Sequence, residues 1–288
     1  MKSAVIYYFS GTGNTEIVAR MIKEAFLQND YSIDLVRIED ILKNNQKVDP
    51  SKYDLIGIGS QIIGYSTPEI VLNFIHTLPS LTGKKVFIFR TAGGVAPINY
   101  NASKPAIRAL NRKGYDVFHE RIFSLSSNWI QRFDNIIVQQ LYSATQKKAQ
   151  IMCQDIIQGK QRILKTGLLL RTIIGILSMS DPIFFRLVGK DYTVSSECTL
   201  CGHCIKNCPV NNIYKRNDQI KFKLSCNGCM RCVYACPKKA IHFKFLKFFY
   251  VPGGYNIKKI LSEPGIPSES ANPTSPQFFN RYISDDAF

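Results

Sequence analysis

Eight of the nine cysteines in this 288-residue chain fall in two matching runs, CTLCGHCIKNCP at 198–209 and CNGCMRCVYACP at 226–237. Each reads C-x2-C-x2-C-x3-C-P. Three thiolates so close in sequence can wrap three corners of one cuboidal cluster, while the fourth, aimed away by the extra residue and the proline, ligates a second cluster. That spacing assigns Cys198, Cys201, Cys204 and Cys236 to one [4Fe–4S] centre and Cys226, Cys229, Cys232 and Cys208 to another. Zinc sites typically use two ligand pairs separated by a longer spacer, and disulfides are disfavoured in a reducing compartment. Cys153, the odd cysteine, reads as a buried inert thiol, and His203 as a neighbour of the ligands rather than one of them.

A second chemical signal is FSGTGNTE at 9–16. It lacks the Gly-Lys-Ser/Thr of a Walker loop, and Glu16 stands where a dinucleotide fingerprint needs its third glycine. What remains is a tight turn rich in hydroxyls, amides and backbone N–H at a helix N-terminus, a nest for one phosphate group. Two more loops, GSQIIGYSTPE at 59–69 and RTAGGVAP at 90–97, follow strand patterns. Loops at the carboxyl ends of strands are where open α/β sheets bind ligands.

These loops need strands and helices to hold them. Ala4 to Phe9 is a continuous apolar run suited to a strand buried on both faces. From Glu16 to Leu27, helical spacing appears at Ile17, Ala19, Met21, Ile22, Ala25 and Phe26. Further strands are expected near 32–38, 54–60, 85–90 and 115–123, with helices near 68–78 and 103–113. The expected fold is therefore α/β, an open five-stranded parallel sheet covered on both faces. Asp134 to about Leu164 reads as one long helix with Ile137, Leu141, Ala144, Met152 and Ile156 inward.

Residues 167–189 are more apolar but are broken by Arg171, Asp181 and Pro182, so no uncharged stretch approaches the ~20 residues of a bilayer span. A buried connecting helix is the expectation; the competing reading is a membrane-surface helix aided by Lys160, Arg162, Lys165 and Arg171. The cysteine region is an internal repeat, with Cys198 and Cys226 opening equivalent halves and Ile213 matching Ile241. Beyond Phe249 a segment rich in Pro, Gly and Ser shows no helical or strand period and is expected to be extended over the surface or partly disordered. The boundaries are thus 1–165 for the first domain, 166–190 for a hydrophobic helical connector, 191–247 for the cysteine domain and 248–288 for the tail.

The formal charge is +16, and 45% of residues are apolar, which indicates a full globular core. Residues 191–247 hold ten Lys/Arg against three Asp/Glu, and two clusters would offset about four of those charges. The apolar run at the N-terminus is too short for a signal peptide, so an unprocessed, cytoplasmic protein is expected. Nucleic acid is a poor partner: the lysines are dispersed and no binding motif occurs.

Two resemblances carry this reading further. The cysteine segment resembles a bacterial-type ferredoxin with two [4Fe–4S] clusters, a small α+β fold in which every ligand position is filled here. The first domain, with S-G-T-G-N-T after its first strand, resembles flavodoxins. That likeness implies a doubly wound flavodoxin-like sheet and FMN, its phosphate held by Ser10, Thr12, Gly13, Asn14 and Thr15. It also implies ring contacts from Ile63, Gly64 and Tyr65, with isoleucine where an aromatic residue is expected, and from Thr91, Gly93 and Gly94. Asn128 is a further candidate wall, and Trp129 is equally a wall or core. Together the chain resembles flavodoxin–ferredoxin fusion proteins of anaerobes. The resemblance implies electron transfer between the two clusters and FMN, with a redox protein as partner, an acidic ferredoxin or flavodoxin. Two alternatives stay open: an FMN-dependent reductase of a quinone, nitro compound or enoate, and a redox-sensing or membrane-surface module. No catalytic residue set can be argued from the sequence.

Overall fold

The computed structural model describes residues 2–263 and 276–285. The chain opens with β1 (Lys2–Phe9), α1 (Asn14–Leu27), β2 (Tyr31–Arg37), a short α2 (Ile38–Lys43) and β3 (Leu55–Gln61). Then come α3 (Glu69–Thr77), β4 (Lys85–Ala92), α4 (Lys104–Arg112), β5 (Asp116–Ser124) and α5 (Asn135–Ile157). The five strands are all parallel, in the order β2-β1-β3-β4-β5. The order reverses at β1 and β3, and the crevice outside their carboxyl ends is the topological switch point of such a sheet.

Strands this apolar form because both faces are covered. On one face Ala4, Ile6 and Tyr8 pack with Val18, Ile22 and Phe26 of α1 and Met152 of α5. On the other, Val5, Tyr7 and Phe9 pack with Val71, Phe74 and Ile75 of α3 and Leu110 of α4. All five inward positions expected on α5 are buried. The helix nevertheless stops at Ile157, seven residues before the expected end, where Gly159 turns the backbone at φ +70. The chain then returns beside β5: the Glu120 N–H donates to the Arg162 carbonyl (2.7 Å) and the Arg162 N–H to that of Phe118 (2.9 Å). An otherwise open sheet edge is covered.

The connector comprises two helices, α6 (Leu168–Met179) and α7 (Asp181–Lys190). The expected burial fails for α6. Only Ile174 is buried along it, while Leu168, Leu169 and Met179 are 77, 77 and 78% exposed. By contrast α7 is anchored, with Phe185 and Val188 in the core of the cysteine domain.

That domain contains β6 (Tyr192–Val194), α8 (His203–Asn207), β7 (Ile213–Arg216), β8 (Gln219–Phe222), α9 (Arg231–Tyr234) and β9 (Ile241–Phe243). Strand β6 pairs antiparallel with β9, and β7 with β8. Ile213 and Ile241, matched in the sequence repeat, each open a strand of one pair.

The tail was expected to be extended, and where it is described the structure differs. It forms α10 (Ile257–Ser262) and α11 (Pro276–Ser284). Tyr255, Ile257, Ile260, Phe279 and Tyr282 make a core with Phe133, Ile137 and Leu141 against α5. Each helix is too short for its period to stand out in sequence; the apolar face of α5 selects them. The Pro/Ser-rich stretch 264–275 lies outside the described residues. Phe279, packed on Phe133 with ring centroids 5.0 Å apart, is the keystone of this attachment. Phe279→Ala should therefore lower unfolding free energy by about 3–5 kcal/mol, measured by urea denaturation.

Candidate cofactor sites

At the carboxyl ends of β1, β3, β4 and β5 the loops enclose a cavity of about 400 Å³. Its floor is the first loop. Gly13, at φ +109, is the N-cap of α1, which directs the positive end of the helix towards the turn. The Ser10 hydroxyl accepts the Glu16 N–H (3.2 Å), Thr12 accepts from the Asn128 amide (2.9 Å), and the Thr15 and Thr91 hydroxyls share a hydrogen bond (2.8 Å). Asn14 donates to the Ser126 carbonyl (2.7 Å) and accepts from the Tyr255 hydroxyl of the tail.

The middle wall is the turn at 63–66. Gly64 adopts φ +60, and a Cβ there would lie 2.3 Å from the Asp181 carboxylate. Glycine is thus required twice, for the left-handed backbone and for the close approach. Asp181 accepts the Tyr65 N–H (3.2 Å), and burial raises its pKa, an effect that this hydrogen bond partly opposes. Behind the turn the buried Arg90 guanidinium donates to the hydroxyls of Ser60, Thr67 (3.0 Å) and Ser103 (3.2 Å), so one side chain fixes both ends of the loop after β3. Trp129 lies edge-on to Phe249 and Phe185, at 4.7 and 5.6 Å between centroids, and the three form the apolar end.

FMN fits this lining. Both polar atoms of the Gln61 carboxamide are buried without a partner at the cavity wall. Such atoms cost free energy unless a ligand supplies hydrogen bonds, and the polar edge of a flavin ring can do so. The hydroxyl-rich floor at a helix N-terminus suits its phosphate.

Cys198, Cys201, Cys204 and Cys236 surround one small hollow. Burial raises the pKa of both Cys226 and Cys232; Cys229 and Cys208 lie within electrostatic reach of each, and Cys204 of the other run lies within reach of Cys232. The backbone holds the sulfurs by equivalent bonds in both halves: the Asn212 N–H donates to Cys208 Sγ (3.2 Å), and the Ala240 N–H to Cys236 Sγ (3.3 Å). Burial, together with the Cys229 charge, pushes the Cys226 thiol up to about 12. Four thiols lining one hollow, as Cys198, Cys201, Cys204 and Cys236 do, are a donor set that fits an iron–sulfur core.

The two sites are joined. A Cβ on Gly11 would lie 2.4 Å from the Cys229 carbonyl oxygen and 3.1 Å from its Cβ, so the phosphate loop touches a cluster ligand. Arg231, between Cys229 and Cys232, donates to the carbonyls of Ser10, Gly11 (3.1 Å) and Asn207 (3.1 Å) and pairs with the buried Glu39 at 2.7 Å. Asn227, also within the second run, accepts the Ile70 N–H in the first turn of α3 (3.1 Å).

Of the expected flavin contacts, Ser10, Thr12, Asn14 and Thr15 line the cavity, as do Ile63, Gly64, Tyr65, Thr91, Gly93 and Asn128. Two do not. Gly13 turns towards Ile257 of α10, and the Gly94 carbonyl is taken by the Asn99 amide (2.9 Å). Sequence reasoning missed Gln61, Ser126, Ser127, Asp181, Phe185 and Phe249. The run SLSSN at 124–128, hydroxyl-rich after the last strand, was a usable signal for the serines. Asp181, Phe185 and Phe249 lie far off in sequence and carried none.

A flavin cavity at the switch point of a parallel sheet and two four-cysteine sites in one chain define an iron–sulfur flavoprotein of electron transfer. The chain belongs to the flavodoxin family: the family described as "Flavodoxin domain" matches residues 5–149, and "4Fe-4S dicluster domain" matches 190–237. Over 118 residues it is 29% identical to a flavodoxin of Maridesulfovibrio salexigens, covering 39% of this chain and 76% of that one. Over 61 residues it is 43% identical to the formate dehydrogenase iron-sulfur subunit of Wolinella succinogenes. That match covers 20% of this chain, which spans only 30% of the subunit's length. Among solved structures, oxidised flavodoxin 1 of Bacillus cereus is 21% identical, covering 55% of this chain and 98% of that one at a TM-score of 0.39.

Removing the Ser10 hydroxyl frees the Glu16 N–H and takes a polar group from the cavity floor. Ser10→Ala should weaken FMN binding by about tenfold, read by flavin fluorescence on titrating the flavin-free protein. A raised Asp181 pKa means that the folded chain holds this proton more tightly than the unfolded chain does. Ionisation therefore costs stability, nothing below the ordinary aspartate range of about 3.9 and the full amount above the raised value. In Asp181→Asn that loss with rising pH should vanish, which paired urea titrations across acid to neutral pH would show.

Proposed function

We propose that this chain relays electrons between its cluster sites and its flavin site within one molecule. The observation that carries the reading is the contact between Cys229 and Gly11, which joins a cluster ligand to the phosphate loop with no solvent layer between them. When bound, the clusters exchange single electrons and FMN stores two, so the pair converts between one- and two-electron chemistry. The chain's own residues supply the rest. Arg231 and Glu39 lock the interface, and Phe9, whose ring lies 5.9 Å from the Arg231 guanidinium, closes it on the sheet side. Burial raises the Cys229 pKa, and the Arg231 charge partly opposes that rise.

The other cysteine set faces outward. Cys201 is exposed, and Lys206, Lys238 and Lys239 are exposed around it. This supports an acidic redox protein, such as a ferredoxin or a flavodoxin, docking at that end by charge complementarity.

Rapid mixing of the holoprotein with a low-potential reductant tests the relay. Flavin reduction following cluster reduction at a rate independent of chain concentration supports it; a rate proportional to chain concentration means transfer between molecules and overturns it. Arg231→Ala leaves Glu39 without its closest buried cation and should cost about 3–5 kcal/mol. It should also slow the intramolecular phase while iron and flavin content stay unchanged.

A further inference from the structure

Helix α6 carries its apolar side outward. At about 100° per residue, Leu168, Leu169, Ile173, Ile176, Leu177 and Met179 occupy one half of its circumference, and all six are exposed. Arg171 and Ser178 lie on the opposite side with the buried Ile174, lining a hollow of about 460 Å³ beneath the helix. Lys104, Arg108 and Asn101 line the same hollow. Asn101 is 7% exposed, and neither polar atom of its amide has a partner. Lys104 sits low for a lysine, through burial first and then the charges of Arg171 and Arg108, so the three cations crowd one another. The two acids at this wall are engaged elsewhere, Glu69 with Arg186 (2.7 Å) and Asp181 with the Tyr65 N–H.

We propose that α6 docks this protein in the plane of an anionic phospholipid bilayer. Its outer face enters the acyl boundary, while Lys104, Arg108, Arg171 and the Asn101 amide hold headgroup phosphates. An in-plane helix has an apolar face at the acyl boundary and cations at headgroup depth, which is the arrangement here. Together α6 and α7, Leu168–Lys190, are long and apolar enough to cross a bilayer, but α7 is fastened by Phe185 and Val188 to the cysteine domain. Only the 12 residues of α6 are left free, about 18 Å, short of the ~30 Å hydrocarbon core. A second copy of the chain fits the face less well than lipid does. From Lys160 to Lys190 there are six Lys/Arg against one acid on a chain of net charge +16, so two such faces repel each other and an anionic surface attracts them. Ile63, Tyr65, Asp181 and Phe185 border both this hollow and the flavin cavity, so docking also brings the flavin site to the membrane surface.

Co-sedimentation of the holoprotein with vesicles of phosphatidylcholine alone or mixed with phosphatidylglycerol tests this, with flavin and cluster absorbance as the check on folding. Binding should require phosphatidylglycerol and weaken as salt rises. The double variant Leu169→Ser, Ile176→Ser should lose about tenfold or more in vesicle affinity. The Arg108→Gln, Arg171→Gln variant, which leaves the apolar face intact, should lose the preference for anionic vesicles. Three outcomes overturn the proposal. One is no binding to either vesicle by a monomeric holoprotein. The second is equal, salt-independent binding to both. The third is a concentration-dependent dimer, seen by sedimentation without lipid, that Leu169→Ser, Ile176→Ser dissociates, because a second copy then covers α6.

Discussion

The contact between Gly11 and Cys229 constrains everything around it. A turn that would hold a phosphate and a loop that would hold an iron–sulfur cluster meet backbone to backbone, with no room for a Cβ. Such an approach leaves carbonyl groups buried at the seam, and buried carbonyls need donors. Arg231 supplies them for Ser10, Gly11 and Asn207, and Glu39 then balances its charge. The seam is therefore a buried polar network within apolar surroundings, in which Arg231 is the shared donor and its removal leaves the carbonyls and Glu39 unsatisfied.

From that seam outward each module completes the other. Asn227 of the second cysteine run occupies the first turn of α3, Tyr234 of α9 donates to the Asn128 carbonyl (3.1 Å), and Tyr255 of the tail bonds Asn14 in the phosphate loop. The flavin cavity is lined from the first domain, the connector and the segment after the cysteine domain. Its floor and back wall are flavodoxin-like, while Asp181, Phe184 and Phe185 come from the connector and Phe249 from the segment after the cysteine domain. A free-standing flavodoxin domain cut from this chain would lose the apolar end of its cavity.

Charge is arranged with similar economy. Burial makes the Cys226 and Cys232 thiols resist ionisation where they lie. Lys206, Lys238 and Lys239 of the cysteine domain are exposed.

Much of this was legible in the sequence, because it is carried by local patterns. Apolar runs and helical spacing mark the five strands and the helices between them, since burial on both faces imposes those periods. Two cysteine runs 28 residues apart identify their ligand sets, since a cuboidal cluster dictates short spacings. The Ser-Gly-Thr-Gly-Asn-Thr turn marks its phosphate nest by composition. What only the tertiary structure decided are the meetings between distant segments: Gly11 with Cys229, Asp181 with Gly64, α10 and α11 with α5. It also decided that α6, apolar enough to read as core, faces outward, with Ile174 its one buried residue. Hydrophobicity records that a side chain avoids water; it does not record what covers it. That depends on which surfaces the rest of the fold has left open, and such openings exist only once the chain has folded.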